Sequence, residues 1–445
     1  MNYRYESSYA KIASVLNKQI NEDDFRISGL TWRADNAGAN SCYVAIKGNR
    51  YNGNDYICEA IKNGAELIIS DENIKCEKPI IRVESSVEAL CLLAKENVKK
   101  SRVIGVTGSV GKTTVKEMIY SVLAQKYKVH ATKDNENNEV GVAKTLLTLK
   151  DEDFCVVEMG MRARGEIDFL SRICSPEASV ITNCGSAHIE RLGSLDEIFN
   201  AKTEILKNTA KYCVLPSEKK FFETEKYGAS AYYIGENGNY CASDISYNSD
   251  MIKFSVMENG KNLGRIILPS ISKHNIINSL FAYAIGRIYS LEHNEIKNGL
   301  KAFKSIGLRE QIIEIGGITY IIDCYNASYE GMKAAITDFN SYCLRKNLIP
   351  VVILGCMREV GEYGKEYHYN VGRLVGDIGI KELICYKSDA TVYLDGFGGG
   401  VYFNDKEKLS QYILSHYGKN YAILLKGSRS EKLEEIITEM KEQLK

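Results

Sequence analysis

A glycine-rich segment between an apolar run and an amphipathic run limits the folds open to this chain more than any other feature. Residues 105–114 read GVTGSVGKTT, and the amphipathic run begins at Val115. In a strand–loop–helix unit, glycines let backbone N–H groups face an anion, and the helix N-terminus adds partial positive charge. The pattern predicts a phosphate-binding loop, with Lys112 at the outer phosphates and the Thr113 hydroxyl on Mg²⁺. The loop is a variant, because Val106 stands where the strict G-x-x-x-x-G-K-[ST] pattern has glycine.

Bulk composition narrows the possible compartments and partners. A chain of 445 residues predicts two to four domains. Lys+Arg and Asp+Glu both number 57, so net charge favours neither a nucleic-acid nor a membrane partner. No apolar run approaches the roughly 18 residues of a membrane span, and the N-terminus does not resemble a secretory signal. The 13 cysteines include no C-x-x-C pair, so we expect reduced thiols, no zinc site and a cytoplasmic protein.

Short apolar runs alternate with helix-like runs along the whole chain. This alternation is typical of α/β folds whose parallel strands are covered by helices on both faces. We expect three domains: residues 1–98 as a small α/β domain, 99–308 as a doubly wound domain with the phosphate loop, and 309–445 as a further Rossmann-like α/β domain.

Polar residues follow two of the predicted strands of the central domain. Glu158 ends the run FCVV at 154–157, and His188 lies shortly after the run SVI at 179–181. Ligands of open α/β sheets sit at the carboxyl ends of the strands, so Glu158, His188 and Thr113 could meet at one rim and bind Mg²⁺. Considered alone, Glu158 fits a surface carboxylate as well as it fits a metal ligand. Considered alone, His188 fits a hydrogen-bonded structural histidine better than a metal ligand.

Lys202 lies in a helix-like run at 195–206, where Ile198, Lys202 and Leu206 recur at every fourth residue and share one face. Lysines are rarely buried without a partner. The spacing leaves two interpretations open. Either the aliphatic stem covers apolar surface while the amine reaches water, or the lysine lies near the metals and phosphates.

The order of these motifs resembles the Mur ligases, which add amino acids to a UDP-linked peptide precursor of the bacterial wall. The resemblance is densest between about residues 103 and 208 and extends over nearly the whole chain. The matching segments are TGSVGKTT at 107–114, NNEVGV at 137–142, EMGM at 158–161, GEI at 165–167, TN at 182–183, AHIE at 187–190, LGS at 192–194 and AKTEI at 201–205. The segments NNE at 137–139, MGM at 159–161, DCYNA at 323–327, MKAA at 332–335 and KGSR at 426–429 favour the member that adds D-alanyl-D-alanine.

The resemblance implies an ATP- and Mg²⁺-dependent ligase of three domains. Its implied reaction joins D-Ala-D-Ala to UDP-N-acetylmuramoyl-tripeptide through an acyl phosphate, with the last domain closing over ATP. We expect a monomer whose partners are these small substrates.

The resemblance also assigns residues to roles. It implies catalytic roles for Lys112, Glu158, His188, Lys202 and Arg309, and metal ligation by Thr113, Glu158, His188 and a carbamylated Lys202. It implies ATP contacts from Gly108, Ser109, Val110, Gly111, Lys112, Thr113, Thr114, His274, Asn275, Asn278, Arg309 and Asp323. It implies substrate contacts from Arg33, Asn137, Asn138, Tyr325, Asn326 and Lys426.

The chain departs from the family pattern at four positions, chiefly where the two substrates are expected to bind: Trp32, Asn54, Asp134 and Cys356. One alternative is therefore a divergent relative that joins another acid and amine. A nucleotide switch is a further alternative, although no Asn-Lys-x-Asp guanine motif follows the loop. A small-molecule kinase is a third, disfavoured by the histidine and lysine that follow Glu158.

Overall fold

The computed structural model describes residues 3–20, 23–98, 101–185, 189–248, 250–358 and 360–443. No helix within these ranges is long and apolar enough to cross a membrane. The chain divides into two compact units, each assembled from separate segments. The first comprises Met1–Gly105, Tyr127–Met161 and Ile167–Glu177, and the second comprises Val106–Lys126, Arg162–Glu166 and Ala178–Lys445. The domain boundaries expected near residues 98 and 308 stay predictions.

Strands and helices alternate along most of the described chain. The strands are β1 (Tyr3–Ser8), β2 (Arg26–Thr31), β3 (Ser41–Val44), β4 (Ala65–Ser70), β5 (Ile80–Arg82), β6 (Arg102–Thr107), β7 (Val129–Ala131), β8 (Phe154–Glu158), β9 (Ala178–Ile181), β10 (Tyr212–Pro216), β11 (Ser230–Ile234), β12 (Tyr240–Asn248), β13 (Met251–Glu258), β14 (Lys261–Leu268), β15 (Gln311–Ile315), β16 (Ile318–Asp323), β17 (Ile349–Leu354), β18 (Glu382–Tyr386), β19 (Val401–Phe403) and β20 (Tyr421–Lys426). The helices are α1 (Tyr9–Val15), α2 (Ile57–Lys62), α3 (Ser86–Lys95), α4 (Lys112–Leu123), α5 (Glu139–Leu147), α6 (Glu166–Cys174), α7 (Ile189–Leu192), α8 (Leu195–Thr203), α9 (Lys219–Phe222), α10 (His274–Ile288), α11 (His293–Ala302), α12 (Tyr329–Lys346), α13 (Gly364–Asp377), α14 (Val392–Phe397), α15 (Lys406–His416) and α16 (Glu435–Gln443).

The first unit opens with a five-stranded sheet in the order β1-β2-β3-β4-β5. β1 pairs antiparallel with β2, and the other neighbours are parallel. β4 is apolar along most of its length and almost wholly buried, as expected for a parallel strand covered on both faces. Tyr43 of β3 belongs to the core and donates a hydrogen bond to the carbonyl of Gly53 at 2.8 Å, which fixes the turn before α2.

The later segments of the first unit attach to α3. β7 and β8 form a parallel pair, and between them α5 begins where the side chain of Asn138 accepts a hydrogen bond from the Gly141 N–H at 3.0 Å. Just after α3, the Asn97 amide donates to the carbonyls of Leu146 and Leu149 at 2.8 and 3.0 Å. These bonds cap the C-terminal end of α5, and residues 127–161 are thereby fastened to the N-terminal sheet.

In the second unit, β9, β10 and β11 run parallel, and β12, β13 and β14 continue the ladder mainly as antiparallel hairpins. The strand–helix alternation predicted parallel strands with intervening helices for this domain, so the antiparallel extension is a correction. Its first strand, YCASDISYN, mixes polar with apolar residues and is partly exposed, and it therefore lacks the continuous apolar run of a buried parallel strand.

The second unit also contains a six-stranded sheet in the order β15-β16-β20-β17-β18-β19. β15 is antiparallel to β16, and the remaining pairs are parallel. Separate apolar clusters cover its two faces, one containing Phe339 of α12 and the other Ile413 of α15. The central strands β16, β20 and β17 end together, since Lys426 is opposite both Asp323 and Leu354. This edge is where open α/β sheets bind ligands.

The predicted strands at 154–157 and 179–181 are confirmed, and each extends by one residue beyond the prediction. The helix predicted at 195–206 is shorter, because α8 ends at Thr203 and a 3₁₀ turn continues over Glu204–Asn208.

Candidate active site

The phosphate loop is a tight turn at residues 108–111, between the end of β6 and the start of α4. Gly108 and Gly111 have φ angles of 150° and 83°, which side chains rarely tolerate. A Cβ at Gly108 would lie 1.9 Å from Thr182 Oγ1, and one at Gly111 would lie 2.8 Å from Asn278 Oδ1. Glycine is therefore required at both positions by conformation and by contact.

The loop is held from the side by the segment that follows β9. Thr182 Oγ1 and Asn183 Nδ2 donate to the carbonyl of Val110 at 2.6 and 2.9 Å, and Asn183 Oδ1 accepts from the Val110 N–H at 3.0 Å. Val106 belongs to β6 and is fully buried, which explains why a side chain is accepted where the strict motif has glycine. The loop is thus preorganised by neighbouring polar groups.

Lys112, Thr113, Arg309 and Tyr325, all predicted site residues, converge at the start of α4. Lys112 Nζ donates to the carbonyls of Gly108 and Ser109 at 2.9 and 3.3 Å, so its ammonium lies over the loop. Arg309 Nη2 donates to Thr113 Oγ1 at 3.1 Å, and its guanidinium lies 3.8 Å from the centroid of the Tyr325 ring. Two cations therefore flank the helix N-terminus, an arrangement that suits phosphate.

Lys202 points into the protein, as the stripe with Ile198 and Leu206 predicted. Its side chain is 1% exposed, so the interpretation in which the amine reaches water is wrong. The pKa of Lys202 is lowered to about 7, chiefly by burial and then by the nearby charge of Lys112, while Cys184 opposes the shift. A large fraction of this amine is therefore uncharged near neutral pH, unlike an ordinary lysine.

The N-terminal end of α10 brings two predicted ATP residues next to the loop. Asn278 Nδ2 donates to Asn275 Oδ1 at 2.8 Å, and both residues are buried. His274 precedes them, is exposed, and has its Nδ1 3.6 Å from Asp338 Oδ2 of α12. Glu310 was not predicted from the sequence, yet its carboxylate accepts a hydrogen bond from Asn275 Nδ2 at 3.0 Å. No local pattern indicates it, because a charged residue in a linker is normally solvated.

A second cluster lies where β16 and β20 end. Lys426 Nζ is 2.5 Å from Asp323 Oδ2 and donates to the carbonyl of Asn326 at 3.1 Å. The lysine side chain is 4% exposed and the aspartate side chain 24% exposed, so the pair is shielded from water on one side. All three residues were predicted, and the structure brings them together at the carboxyl edge of this sheet.

In the first unit, Asn137 Nδ2 donates to Glu158 Oε1 at 2.8 Å. Glu158 is 1% exposed at the end of β8, and its backbone N–H donates to Thr132 Oγ1 at 3.0 Å. The alternative of a surface carboxylate is therefore wrong. A Cβ at Gly160 would lie 2.7 Å from Asn137 Oδ1, so the glycine of the EMGM segment leaves room for this amide.

A cavity of about 590 Å³ in the first unit contains two further predicted residues, Arg33 and Asn138. Arg33 pairs with Asp35 at 2.7 Å and remains two-thirds exposed. Trp32, one of the departures from the family pattern, stacks on Tyr3 with centroids 4.9 Å apart and planes 7° from parallel. The remaining wall is contributed by Asn36, Glu136, Val140, Gly141 and Lys144.

The three other departures have local structural roles. Asn54 is 7% exposed, accepts from Ser70 Oγ at 2.8 Å and donates to Asn52 Oδ1 at 3.0 Å. Asp134 has a φ of 48°, the left-handed conformation that explains a preference for glycine there. Cys356 is 2% exposed after β17, and its carbonyl accepts from Ser428 Oγ at 2.8 Å.

His188 lies outside the described residues. Within the described part of the chain, no group of three or more His, Cys, Asp or Glu side chains could hold a metal ion. Glu158 and the Thr113 hydroxyl offer oxygen atoms, which are the ligands Mg²⁺ prefers. The predicted residues of the first unit are Arg33, Asn137, Asn138 and Glu158, and the other described ones belong to the second unit.

Two family models match the chain over the segments that carry this geometry. The Mur ligase middle domain matches residues 106–286, and the Mur ligase, glutamate ligase domain matches residues 308–429. The first match spans the phosphate loop and α10, and the second spans the sheet that ends in the Asp323–Lys426 pair.

Similar proteins cover the full length of the chain. The UDP-N-acetylmuramoyl-tripeptide–D-alanyl-D-alanine ligase of Bacillus subtilis is 32% identical over 416 residues, which are 89% of this chain and 90% of that protein. MurF from Acinetobacter baumannii has a TM-score of 0.89 at 25% identity, covering 99% of this chain and 100% of that one. The MurF ligase of Thermotoga maritima in complex with ADP has a TM-score of 0.84 at 27% identity, covering 93% and 97%.

Proposed function

The chain belongs to the Mur ligase family, and from this we propose that it joins D-alanyl-D-alanine to UDP-N-acetylmuramoyl-tripeptide at the expense of ATP. The full-length similarity to ligases of that name supports the reaction. The observation that carries it is the convergence of Lys112, Thr113 and Arg309 at one helix N-terminus behind a glycine turn. Such a site neutralises the outer phosphates of a nucleotide.

The first step activates an acid that is otherwise inert. An oxygen of the tripeptide's carboxylate attacks the γ-phosphorus of ATP, the bond from that phosphorus to the β,γ-bridging oxygen breaks, and ADP leaves. The product is an acyl phosphate. Lys112 and the loop N–H groups bind the phosphates, and Arg309 adds positive charge where charge develops. Catalysis of this step consists mainly of alignment and charge neutralisation.

The second step forms the amide. The free amine of D-Ala-D-Ala attacks the acyl carbon, the carbon–oxygen bond to phosphate breaks, and the amine loses a proton. Water competes for the same intermediate, so the site must exclude it. We propose that Asp323, Tyr325, Asn326 and Lys426 form the wall against which the nucleotide and the amine align, supported by the shielded Lys426–Asp323 pair.

The oxygen donors among the predicted site residues are compatible with Mg²⁺. Thr113 and Glu158 are buried oxygen donors, and we propose both as ligands, with His188 as a further candidate. When bound, Mg²⁺ supplies charge neutralisation at the phosphates. Lys112 and Arg309 complement that charge from the protein side.

We propose that Lys202 acts as a carbamate. Its buried amine has a pKa of about 7, so it is available to add CO₂ near neutral pH. The ammonium first releases a proton, and the neutral amine nitrogen then bonds to the carbon of CO₂ with loss of a second proton, so the side chain changes from cationic to anionic. A carbamate suits a neighbourhood shared with Lys112 and divalent cations far better than an ammonium.

The cavity lined by Trp32, Arg33 and Asn138 is proposed to receive the UDP end of the tripeptide substrate. An aromatic surface beside a cation suits a base attached to phosphates. Because the reaction consumes ATP, we also propose that it takes place in the cytoplasm. The monomeric state expected from the sequence stays a prediction.

The test is a ligation assay with the purified chain, UDP-N-acetylmuramoyl-tripeptide, D-Ala-D-Ala, ATP and Mg²⁺, followed by mass spectrometry and ADP release. We expect the pentapeptide product only when all components are present. Lys112→Ala should lower turnover about 100-fold or more while leaving the thermal midpoint unchanged. Lys301→Ala, an exposed lysine of the same unit, is the matched control.

Two results would contradict the proposal. Product formation by Lys112→Ala at the wild-type rate would remove the loop from the mechanism. ATP hydrolysis that proceeds equally without either substrate would instead favour a nucleotide switch.

A further inference from the structure

Glu310 lies in the linker before β15 and has a set of contacts unusual for a linker residue. Its Oε1 accepts from Ser270 Oγ at 2.9 Å and from the Ile271 N–H at 2.6 Å, and its Oε2 accepts from Asn275 Nδ2 at 3.0 Å. Burial raises the pKa of this carboxyl, and the hydrogen bonds from the 270–272 segment oppose the rise. The linker is therefore anchored to the segment that leads into α10.

The backbone of Glu310 has a strained φ angle, which a solvated linker residue would relax. Its φ is 45°, in the left-handed region that L-residues seldom adopt. Such a conformation persists only where the surroundings hold it. Here the three hydrogen-bond donors around the carboxylate provide that hold.

Arg309, the residue directly before, contacts a different element. Its Nη2 donates to Thr113 Oγ1 of α4 at 3.1 Å, and Ser305 Oγ donates to its carbonyl at 2.5 Å. Two consecutive side chains thus tie the linker to α4 on one hand and to the segment before α10 on the other. A shift of Glu310 would carry Arg309 with it, because they share a peptide bond.

The anchor is also joined to the phosphate loop by a short chain of contacts. Asn275, which donates to Glu310, accepts from Asn278 Nδ2 at 2.8 Å. Asn278 Oδ1 in turn lies 2.8 Å from the position that a Cβ at Gly111 would occupy. The carboxylate, the two amides and the loop glycine therefore form one continuous packed path.

We propose that Glu310 is a positioning residue: its carboxylate fastens the linker to residues 270–275 and so holds the Arg309 guanidinium at the phosphate loop. The inference rests on the proposed function through the role of Arg309. Glu310 touches neither nucleotide nor substrate, and it acts only through its neighbour.

The test compares Glu310→Gln and Glu310→Gly with wild type, in the full chain. Glutamine keeps the shape but turns an NH₂ donor toward groups that are themselves donors. Glycine removes the anchor but relieves the strained φ, so it separates the carboxylate from the backbone turn. Glu314→Gln, an exposed residue of β15, is the matched control.

We expect both Glu310 variants to lower kcat about 10- to 100-fold, as loss of alignment does, with the KM for the UDP-linked substrate little changed. In an Arg309→Ala background, Glu310→Gln should lower kcat by less than about 2-fold, because the residue it positions is gone. Amide hydrogen exchange of residues 303–310 should rise in both variants while that of α4 stays constant.

Wild-type kcat in Glu310→Gln, or equal losses in the presence and absence of Arg309, would overturn the inference. If Glu310→Gln fails to fold, Glu310→Gly decides the question by the same two measurements. If the wild type forms no product, the proposed function fails, and the exchange measurement still tests the anchor. Unchanged exchange of 303–310 would then overturn it.

Discussion

Replacing Lys202 with methionine should change the way the stability of this protein depends on pH. Lys202 is 1% exposed, and its pKa is lowered from 10.5 to about 7 by burial and then by the charge of Lys112. Methionine has a similar length, is apolar and fills irregular spaces, so it removes the charge with little loss of packing.

The direction in which stability changes with pH follows from the protonation of Lys202 in the folded and the unfolded chain. Below pH 7 the lysine is protonated in both the folded and the unfolded chain, and the folded state bears the whole cost of burying the charge. Above pH 7 the folded chain releases the proton while the unfolded chain keeps it up to about pH 10.5, so wild-type stability rises with pH. At about 1.36 kcal/mol per unit, and with the folded-state amine about half deprotonated at pH 7, the stability advantage of Lys202→Met over wild type should shrink by about 2 kcal/mol between pH 7 and pH 9.

The assay is thermal unfolding of wild type and variant at pH 6, 7, 8 and 9 in buffers free of CO₂, which keeps the amine unmodified. For a chain of this length, the expected change in the difference between their midpoints is about 2–4 °C. Lys207→Met, an exposed lysine in the turn after α8, is the control and should follow wild type. Midpoints of Lys202→Met that run parallel to wild type at every pH would refute the reasoning.

Two further predictions concern the proposed carbamate at Lys202 and the proposed UDP cavity. Lys202→Ala should lose ligation activity and regain part of it with added short-chain carboxylic acids, because a small carboxylate replaces the carbamate in the space left by the side chain; full activity without additive would remove the carbamate from the mechanism. Trp32 is the single tryptophan of the chain, so its fluorescence should change on titration with UDP. Arg33→Ala should weaken that binding about 10-fold, since a charge-assisted contact is lost, whereas Arg26→Ala, outside the cavity lining, should not. Fluorescence unaffected by UDP would contradict the assignment of the cavity.

Local sequence determined the phosphate loop. The backbone conformation at positions 108 and 111 requires glycine, and Lys112 and Thr113 follow within one helical turn. All the residues that define the loop therefore lie within ten consecutive positions of the sequence. Helical spacing placed Lys202 on the same face as Ile198 and Leu206, but only the tertiary structure decided that its amine is buried and does not reach water. The parallel strands were found for a similar reason, since a buried strand is a continuous apolar run.

The antiparallel strands β12 to β14 were not predicted from the sequence. β12, the first of them, is partly exposed and mixes polar with apolar residues, so its composition does not distinguish it from a loop. Only the tertiary structure showed that Arg309 is hydrogen-bonded to Thr113, from which it is separated by 196 positions in the sequence. The same holds for Lys426 and Asp323, which are separated by 103 positions. It also made Glu310, an ordinary charged linker residue by sequence, an acceptor for the Ser270 hydroxyl, the Ile271 N–H and the Asn275 amide. Sequence determines what a residue can do within a turn or a helix face, whereas contacts between distant segments depend on how sheets and helices pack, and a single sequence carries no local signal for them.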